Sequence, residues 1–296
     1  MGADGVDAVP VDFRDGWSTN GQVWTLGASR GDADIDLATL DGLFWYCEID
    51  RTPGAYELEL LKTLALQIPV FPDPWRWERA LDKYTAHLAL QRAGVPIPEF
   101  MLVDPRCTRP AEEAIERWGA GLLKPRRGAW GKGVLLVDHP ATMRDVASYA
   151  ASSGATHGGM LLERYLPNDL DRWASATVLG GRVAGGYAKR PSKRVALPGG
   201  RAKIFDANER GGDVDPCVLD GAQIAVATAA AQALDCPVLG FDMIWVDGKP
   251  VVVDENTSPG NYAEVYAALG VDAAGAWVDA ILGCDWQEAR AGWRPT

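Results

Sequence analysis

The sequence predicts an α+β protein built as three successive lobes, and three observations carry that expectation. Its 296 residues are 47% hydrophobic and 23% charged, which is enough apolar material for a sizeable core shared between lobes. Strand-like and helix-like segments interleave along the chain without an internal repeat. The segment from Gly240 to Gly260, GFDMIWVDGKPVVVDENTSPG, reads as two apolar strands folded back around Asp247-Gly248.

The first lobe, 1–76, is read as a short α/β domain with strands at Gln22 to Leu26 and Leu43 to Cys47 and a helix near Tyr56 to Leu66. The proline-rich FPDPW at 71–75 breaks the chain. The second lobe, 77–165, opens with a helix over Trp77 to Ala93, apolar at Leu81, Tyr84 and Leu88 and stopped by Gly94, Pro96 and Pro98. Next come a helix from Pro110 to Trp118, strands at Gly121 to Lys124 and Gly133 to Asp138, a helix near Ala141 to Ala151 and a strand at Gly159 to Glu163. The third lobe, 166–296, starts with a hairpin around Gly180-Gly181. An alanine-rich helix from Leu219 to Leu234, the Gly240 to Gly260 hairpin and a last helix after Gly270 complete it.

Composition excludes several classes. No apolar run reaches membrane-spanning length, and the start MGADGVDAVPVDF has neither a basic nor an apolar leader region, so the expectation is a soluble, cytoplasmic protein. Five scattered cysteines without a CxxC pair argue against a disulfide framework or a zinc site, and three histidines show no ligand spacing. The net charge of −11 speaks against duplex nucleic acid as a partner. It hides a basic stretch, 182–210, with eight Lys or Arg against two acidic residues, which suits a small anion or an acidic peptide as well as it suits a solvated hairpin face.

Chemistry concentrates in three places. In the Gly240 to Gly260 hairpin, strand alternation sends Asp254 and Asn256 to one face and Glu255 to the other, so Glu255 is read as the bystander. Asp242 joins Asp254 on one face if the loop holds three residues, Val246 to Gly248, which would set Asp242 opposite Val252 and diagonal to Asp254. Asp242, Asp254 and Asn256 then form an oxygen-ligand set for a divalent cation, since carboxylates inside an apolar run need a partner. The second place is LLKPRRGAWGKGVLLV, with Lys124 at a strand end and Gly128, Gly131 and Gly133 in a loop whose backbone can approach phosphate oxygens. It satisfies neither the Walker A pattern nor GxGxxG, and a plain strand-closing turn has the same look. The third is LLERYLPNDLDRW, where a strand ends in Glu163. The backbone of Arg164, Tyr165 and Leu166 could read a base edge there while a following acid meets ribose hydroxyls.

Taken in order, Lys83 in ALDKYTAHLALQRAGVPIPEF, Lys124 in LLKPRRGAWGKGV, Glu163 in LLERYL, FDANERGG at Phe205 to Gly212 and the GFD…VVVDENTSPG hairpin resemble the ATP-grasp superfamily, and within it the ribosomal-protein glutamate ligase group. The resemblance covers residues 80 to 270. It implies an ATP-grasp fold in which two α+β lobes clamp ATP, Mg²⁺ or Mn²⁺ bridges the phosphates, and ligation of a carboxylate to an amine, on small molecules or a peptide, yields ADP. By the same resemblance Lys83 and Lys124 face phosphate, the 128–133 loop is the lid, Glu163 contacts adenine and Asp171 contacts ribose. Asp242, Asp254 and Asn256 hold the metal, and Arg190 and Asn208, with Arg210, face the transferring phosphoryl or acyl group. Where the family usually has Glu, this chain has Asp254. On a helical wheel Lys83 lies opposite Leu81 and Leu88, where a solvated lysine is expected; the resemblance places it in the site instead. Alternatives on the same scaffold are a side-chain macrocyclising peptide ligase, a kinase and a nucleotide-binding protein without turnover. A homo-oligomer is compatible with the sequence but not specified by it.

Overall fold

The computed structural model describes residues 7–25, 34–129, 131–152, 159–167, 172–190, 195–197, 201–203 and 213–283. The chain divides into two compact units, Met1–Trp75 with Ile281–Thr296, and Arg76–Ala280.

In the first unit, strands β1 (Trp17–Thr19) and β2 (Gln22–Thr25) form a hairpin whose turn residues, Asn20 and Gly21, both take positive φ, as a two-residue turn matched to strand twist requires. Strand β3 (Ile35–Asp36) adds to β2, while β4 (Leu43–Phe44) pairs in parallel with β5 (Val70–Phe71) across helix α1 (Tyr56–Ala65). Leu58, Leu61 and Leu64 recur at helical spacing on α1, and all three are buried. The expected strand at Leu43 to Cys47 is shorter than the apolar run, because pairing to β5 ends at Phe44.

The second unit opens with a correction. The single helix expected over Trp77 to Ala93 is two, α2 (Pro74–Leu81) and α3 (Lys83–Arg92), because Asp82 sits extended between them at φ −86° and ψ 104°. Its carboxylate accepts from the Tyr84 and Thr85 N–H groups at 3.1 and 3.2 Å, the N-cap arrangement that satisfies orphan donors of a first turn. Then come β6 (Phe100–Val103), α4 (Arg109–Trp118), β7 (Gly121–Pro125), β8 (Leu135–Val137), α5 (Pro140–Ser152) and β9 (Met160–Arg164). The four strands form an antiparallel sheet in the order β6-β9-β7-β8. Ala111, Ala114 and Ile115 of α4 and Met143 and Ala147 of α5 share one core with Leu123 and Leu162 of that sheet.

A five-stranded antiparallel sheet ordered β14-β11-β10-β15-β16 is the larger sheet of this unit. Its strands are β10 (Ala174–Leu179), β11 (Arg182–Arg190), β14 (Asp213–Pro216), β15 (Val238–Val246) and β16 (Lys249–Asn256); β12 (Val195–Leu197) and β13 (Arg201–Lys203) pair separately. Every residue of β10 is buried. Helix α6 (Gly221–Leu234) begins with a capping box of Asp220 and Gln223 and packs Ala227, Ala230 and Leu234 against Ala176, Val178 and Phe241. Helices α7 (Ala263–Ala268) and α8 (Ala273–Leu282) follow. Gly185 is glycine of necessity: a Cβ there would lie 2.3 Å from the Tyr266 ring, whose hydroxyl donates to the buried Thr177 Oγ1 at 2.7 Å. Among the described residues no helix is long and apolar enough to cross a membrane.

Candidate active site

The β15–β16 hairpin corrects the loop expected from the sequence. Its turn holds two residues, Asp247 and Gly248, both at positive φ, with Val246 opposite Lys249. The extra residue sits further along, as a bulge where Met243 pairs with Val252 and Asp242 pairs with Asp254, so Val253 is the unpaired residue. Asp242 and Asp254 are therefore direct cross-strand partners rather than a diagonal pair. Directly opposite residues share a sheet face, which brings the two carboxylates together. Asn256 follows on the same face, opposite Gly240. On the other side of β15, Ser175 of β10 pairs with Asp242, and its hydroxyl donates to the Asp242 carboxylate.

Lys83 is the first residue of α3 and is only 5% exposed, against the helical-wheel expectation. That expectation assumed one helix, and the break at Asp82 resets the phase. Its N–H donates to Arg126 O at 2.9 Å, and its Nζ donates to Asp254 while lying 3.7 Å from Glu255 Oε1. Asp82 holds this corner from a second direction: it accepts from Arg126 Nε at 3.1 Å and pairs with Arg126 Nη2 at 2.6 Å, just before the glycine loop. In that loop Gly131 and Gly133 take positive φ, and a Cβ at Gly128 would meet Pro125 at 2.7 Å.

Lys124 and Glu163 stand diagonally on neighbouring strands, since Leu122 pairs with Glu163. Lys124 Nζ donates to Glu163 Oε2 at 2.7 Å and to Val253 O at 2.9 Å, so one ammonium joins β7, β9 and the bulge of β16. The N–H groups of Arg164 and Tyr165 donate to Glu99 O and Ala120 O and so hold the strand in place. Leu166 packs with Trp173, Ile244 and Val251. Asp171, Asn208, Arg210 and the Arg190 side chain lie outside the described residues.

Sequence reasoning missed two members. Glu255 does face away from Asp254 and Asn256, yet it is buried, and it approaches the same lysine. His87 is wholly buried, 3.2 Å from Glu163 Oε1 through Nε2 and 3.9 Å from Glu255 Oε2 through Nδ1, without an aligned hydrogen bond at either nitrogen. The usable signal was its spacing, one turn after Lys83 on the same helix face.

These groups bias one another's protonation. Burial alone would lower the Lys83 and His87 values. The Asp254 and Glu255 carboxylates outweigh it at Lys83, Glu163 and Glu255 outweigh it at His87, and both are raised. Burial would raise Glu163, but Lys124 and His87 reverse that and its value is lowered. At Glu255 burial dominates the opposing Lys83 and His87 charges and pushes the carboxyl up to about 7.

Among the described residues no three His, Cys, Asp or Glu side chains are gathered in metal-holding geometry. The donors present still fit Mg²⁺: two carboxylates side by side and an amide oxygen on one sheet face, a hard oxygen set that leaves positions for phosphate and water.

A probable alpha-L-glutamate ligase from Rhodopirellula baltica is 29% identical over 201 residues, which is 67% of this chain and 46% of that protein. The chain spans about half the length of the curated relatives it matches. Among solved structures, a D-cycloserine synthetase superposes with a TM-score of 0.63 at 19% identity, covering 86% of both chains. The D-alanine–D-alanine ligase of Bacillus anthracis gives 0.61 at 16% identity, covering 80% of this chain and 77% of its own. At these identities the likeness speaks for a shared ATP-grasp fold. Residues 80–281, which contain both sheets, the two lysines and the aspartate pair, match the RimK-like ATP-grasp domain, and the chain belongs to that family.

Proposed function

We propose that the protein is an ADP-forming carboxylate–amine ligase working through an acyl phosphate on an amino acid or peptide. The observation that carries this reading is the convergence of two buried lysines, Lys83 and Lys124, on the strand that bears Asp254 and Asn256 and pairs with Asp242. Cations and carboxylates within one site are what an ATP·Mg²⁺ complex needs, the first for phosphate and the second for metal. Names of the matched relatives, alpha-L-glutamate ligase among them, support the same class.

In this mechanism Lys83 exchanges its bond with Asp254 for a phosphate oxygen, and Asp254, Asp242 and Asn256 would then hold the cation. Mg²⁺ held there would supply charge neutralisation for the phosphoryl transfer. Lys124 reaches phosphate from β7, with the glycines at 128, 131 and 133 closing over it as a lid, and Glu163 and the 164–166 backbone meet adenine while Asp171 meets ribose. A carboxylate oxygen of the donor attacks the γ-phosphorus, the bond to the bridging oxygen breaks, and ADP leaves. The amine nitrogen then attacks the acyl carbon, phosphate departs with the donor's oxygen, and the nitrogen gives its proton to water or phosphate. Arg190, Arg210 and Asn208 are assigned to the charge on the transferring group. Positioning and charge neutralisation suffice for this chemistry, so no protein nucleophile is required.

The test is ADP release with hydroxylamine across amino acids, short peptides and acidic peptides. A hydroxamate that forms with one class of carboxylate donor supports the ligase. ADP with phosphorylated hydroxyl product and no hydroxamate would make the protein a kinase instead.

A further inference from the structure

The two lysines are joined by a continuous run of buried charge. Lys124 Nζ lies 2.7 Å from Glu163 Oε2, Glu163 Oε1 lies 3.2 Å from His87 Nε2, His87 Nδ1 lies 3.9 Å from Glu255 Oε2, and Glu255 Oε1 lies 3.7 Å from Lys83 Nζ. Each carboxylate thus gives one oxygen to a lysine and turns the other towards the same imidazole. The ring is set edge-on to Phe100, centroids 5.2 Å apart, and no part of its side chain reaches solvent. Four secondary-structure elements besides the helix that carries His87 meet here: β6 through Phe100, β7 through Lys124, β9 through Glu163 and β16 through Glu255.

We propose that His87 is a positioning residue for nucleotide binding, the central cation that keeps Glu163 and Glu255 in place when Lys83 and Lys124 turn to phosphate. The inference rests on reading the cleft as an ATP site. Among the described residues, the ion-pair partners of Glu163 are Lys124 and His87, and those of Glu255 are Lys83 and His87. Once both lysines serve phosphate, His87 is the cation both carboxylates still share. Without it Glu163 would be a buried carboxylate without a counter-charge and Glu255 a buried carboxyl without a polar partner, and the lysines would be held back to serve them. Nucleotide binding would then carry the cost of leaving buried charge unpaired. A histidine kept only for packing would be replaceable by an apolar residue of similar size.

Binding of Mg²⁺ with a non-hydrolysable ATP analogue tests this, read by calorimetry on the full chain beside its melting curve. His87→Leu should weaken analogue binding about tenfold or more, and Glu255→Gln added to it should recover part of that loss. His87→Gln, which can still donate to a carboxylate, should lie between wild type and His87→Leu. A His87→Leu protein that folds and binds within twofold of wild type would overturn the proposal. Wild-type protein that binds no analogue would instead overturn the ATP-site reading beneath it. Histidine nitrogen NMR on the wild type gives an answer that needs no His87→Leu protein: with His87 assigned through His87→Gln, both ring nitrogens should carry protons in the analogue complex. A ring nitrogen without its proton there would contradict the shared-cation role.

Discussion

Asp254 and Glu255 are neighbours that point to opposite faces, yet Lys83 meets both: its Nζ donates to Asp254 and lies 3.7 Å from Glu255 Oε1. Lys124 and Glu163 are just as tightly matched, with side chains 7% and 1% exposed. Lys124→Met takes away the closer of the two counter-charges of buried Glu163, so it should lower unfolding free energy by about 3 kcal/mol, and Lys124→Met with Glu163→Gln should restore most of it. Urea midpoints of the two singles and the double measure this directly. At this scale the chain was partly legible. The residue types of the aspartate row and the glycine loop announce themselves, but Lys83 was hidden by a helix phase that breaks at Asp82. His87 and Glu255 were hidden because burial of a charged side chain follows from tertiary neighbours, which no periodicity encodes.

The hairpin β15–β16 shows what an element adds. Parity along two paired strands requires one extra residue somewhere if Asp242 and Asp254 are to share a face. The alternation says so, but it does not say where. The structure puts the extra residue beside the aspartates as a bulge and keeps Asp247-Gly248 as a tight two-residue turn. Gly248 sits at φ +77°, so Gly248→Val should cost about 1–2 kcal/mol with little effect on nucleotide affinity, since the bulge rather than the turn sets the site register. Asp82→Ala should behave differently. It removes a helix cap, for about 1 kcal/mol, and also frees Arg126 and the Lys83 corner, so the KM for ATP should rise together with the loss of stability. Tyr266→Phe removes the hydroxyl bond to buried Thr177, worth about 1 kcal/mol. Burial raises the Tyr266 value above that of the unfolded chain, so this contribution is fully present below about pH 10 and is lost as pH rises further. The gap in urea midpoint between wild type and Tyr266→Phe should therefore narrow in alkaline buffer.

Across the whole molecule, the order of the motifs carried more than any one of them. A lysine at a helix start, a lysine before a glycine loop, a strand-terminal glutamate and an acidic hairpin are each ordinary, and together they match the RimK-like domain over residues 80–281. The unit Met1–Trp75 with Ile281–Thr296 lies largely outside that match and keeps its own two small sheets and a helix. Substrate choice is the least legible property, because the basic stretch 182–210 suits a small anion, an acidic peptide and a solvated hairpin face alike. Chelation of divalent cations should abolish ADP formation, and added Mg²⁺ should restore it. The most direct test of the central claim is to label the donor carboxylate with heavy oxygen and analyse the phosphate released during turnover. The account predicts one labelled oxygen per phosphate, because the acyl phosphate passes the donor's oxygen to phosphorus. Turnover that yields ADP and unlabelled phosphate would contradict it.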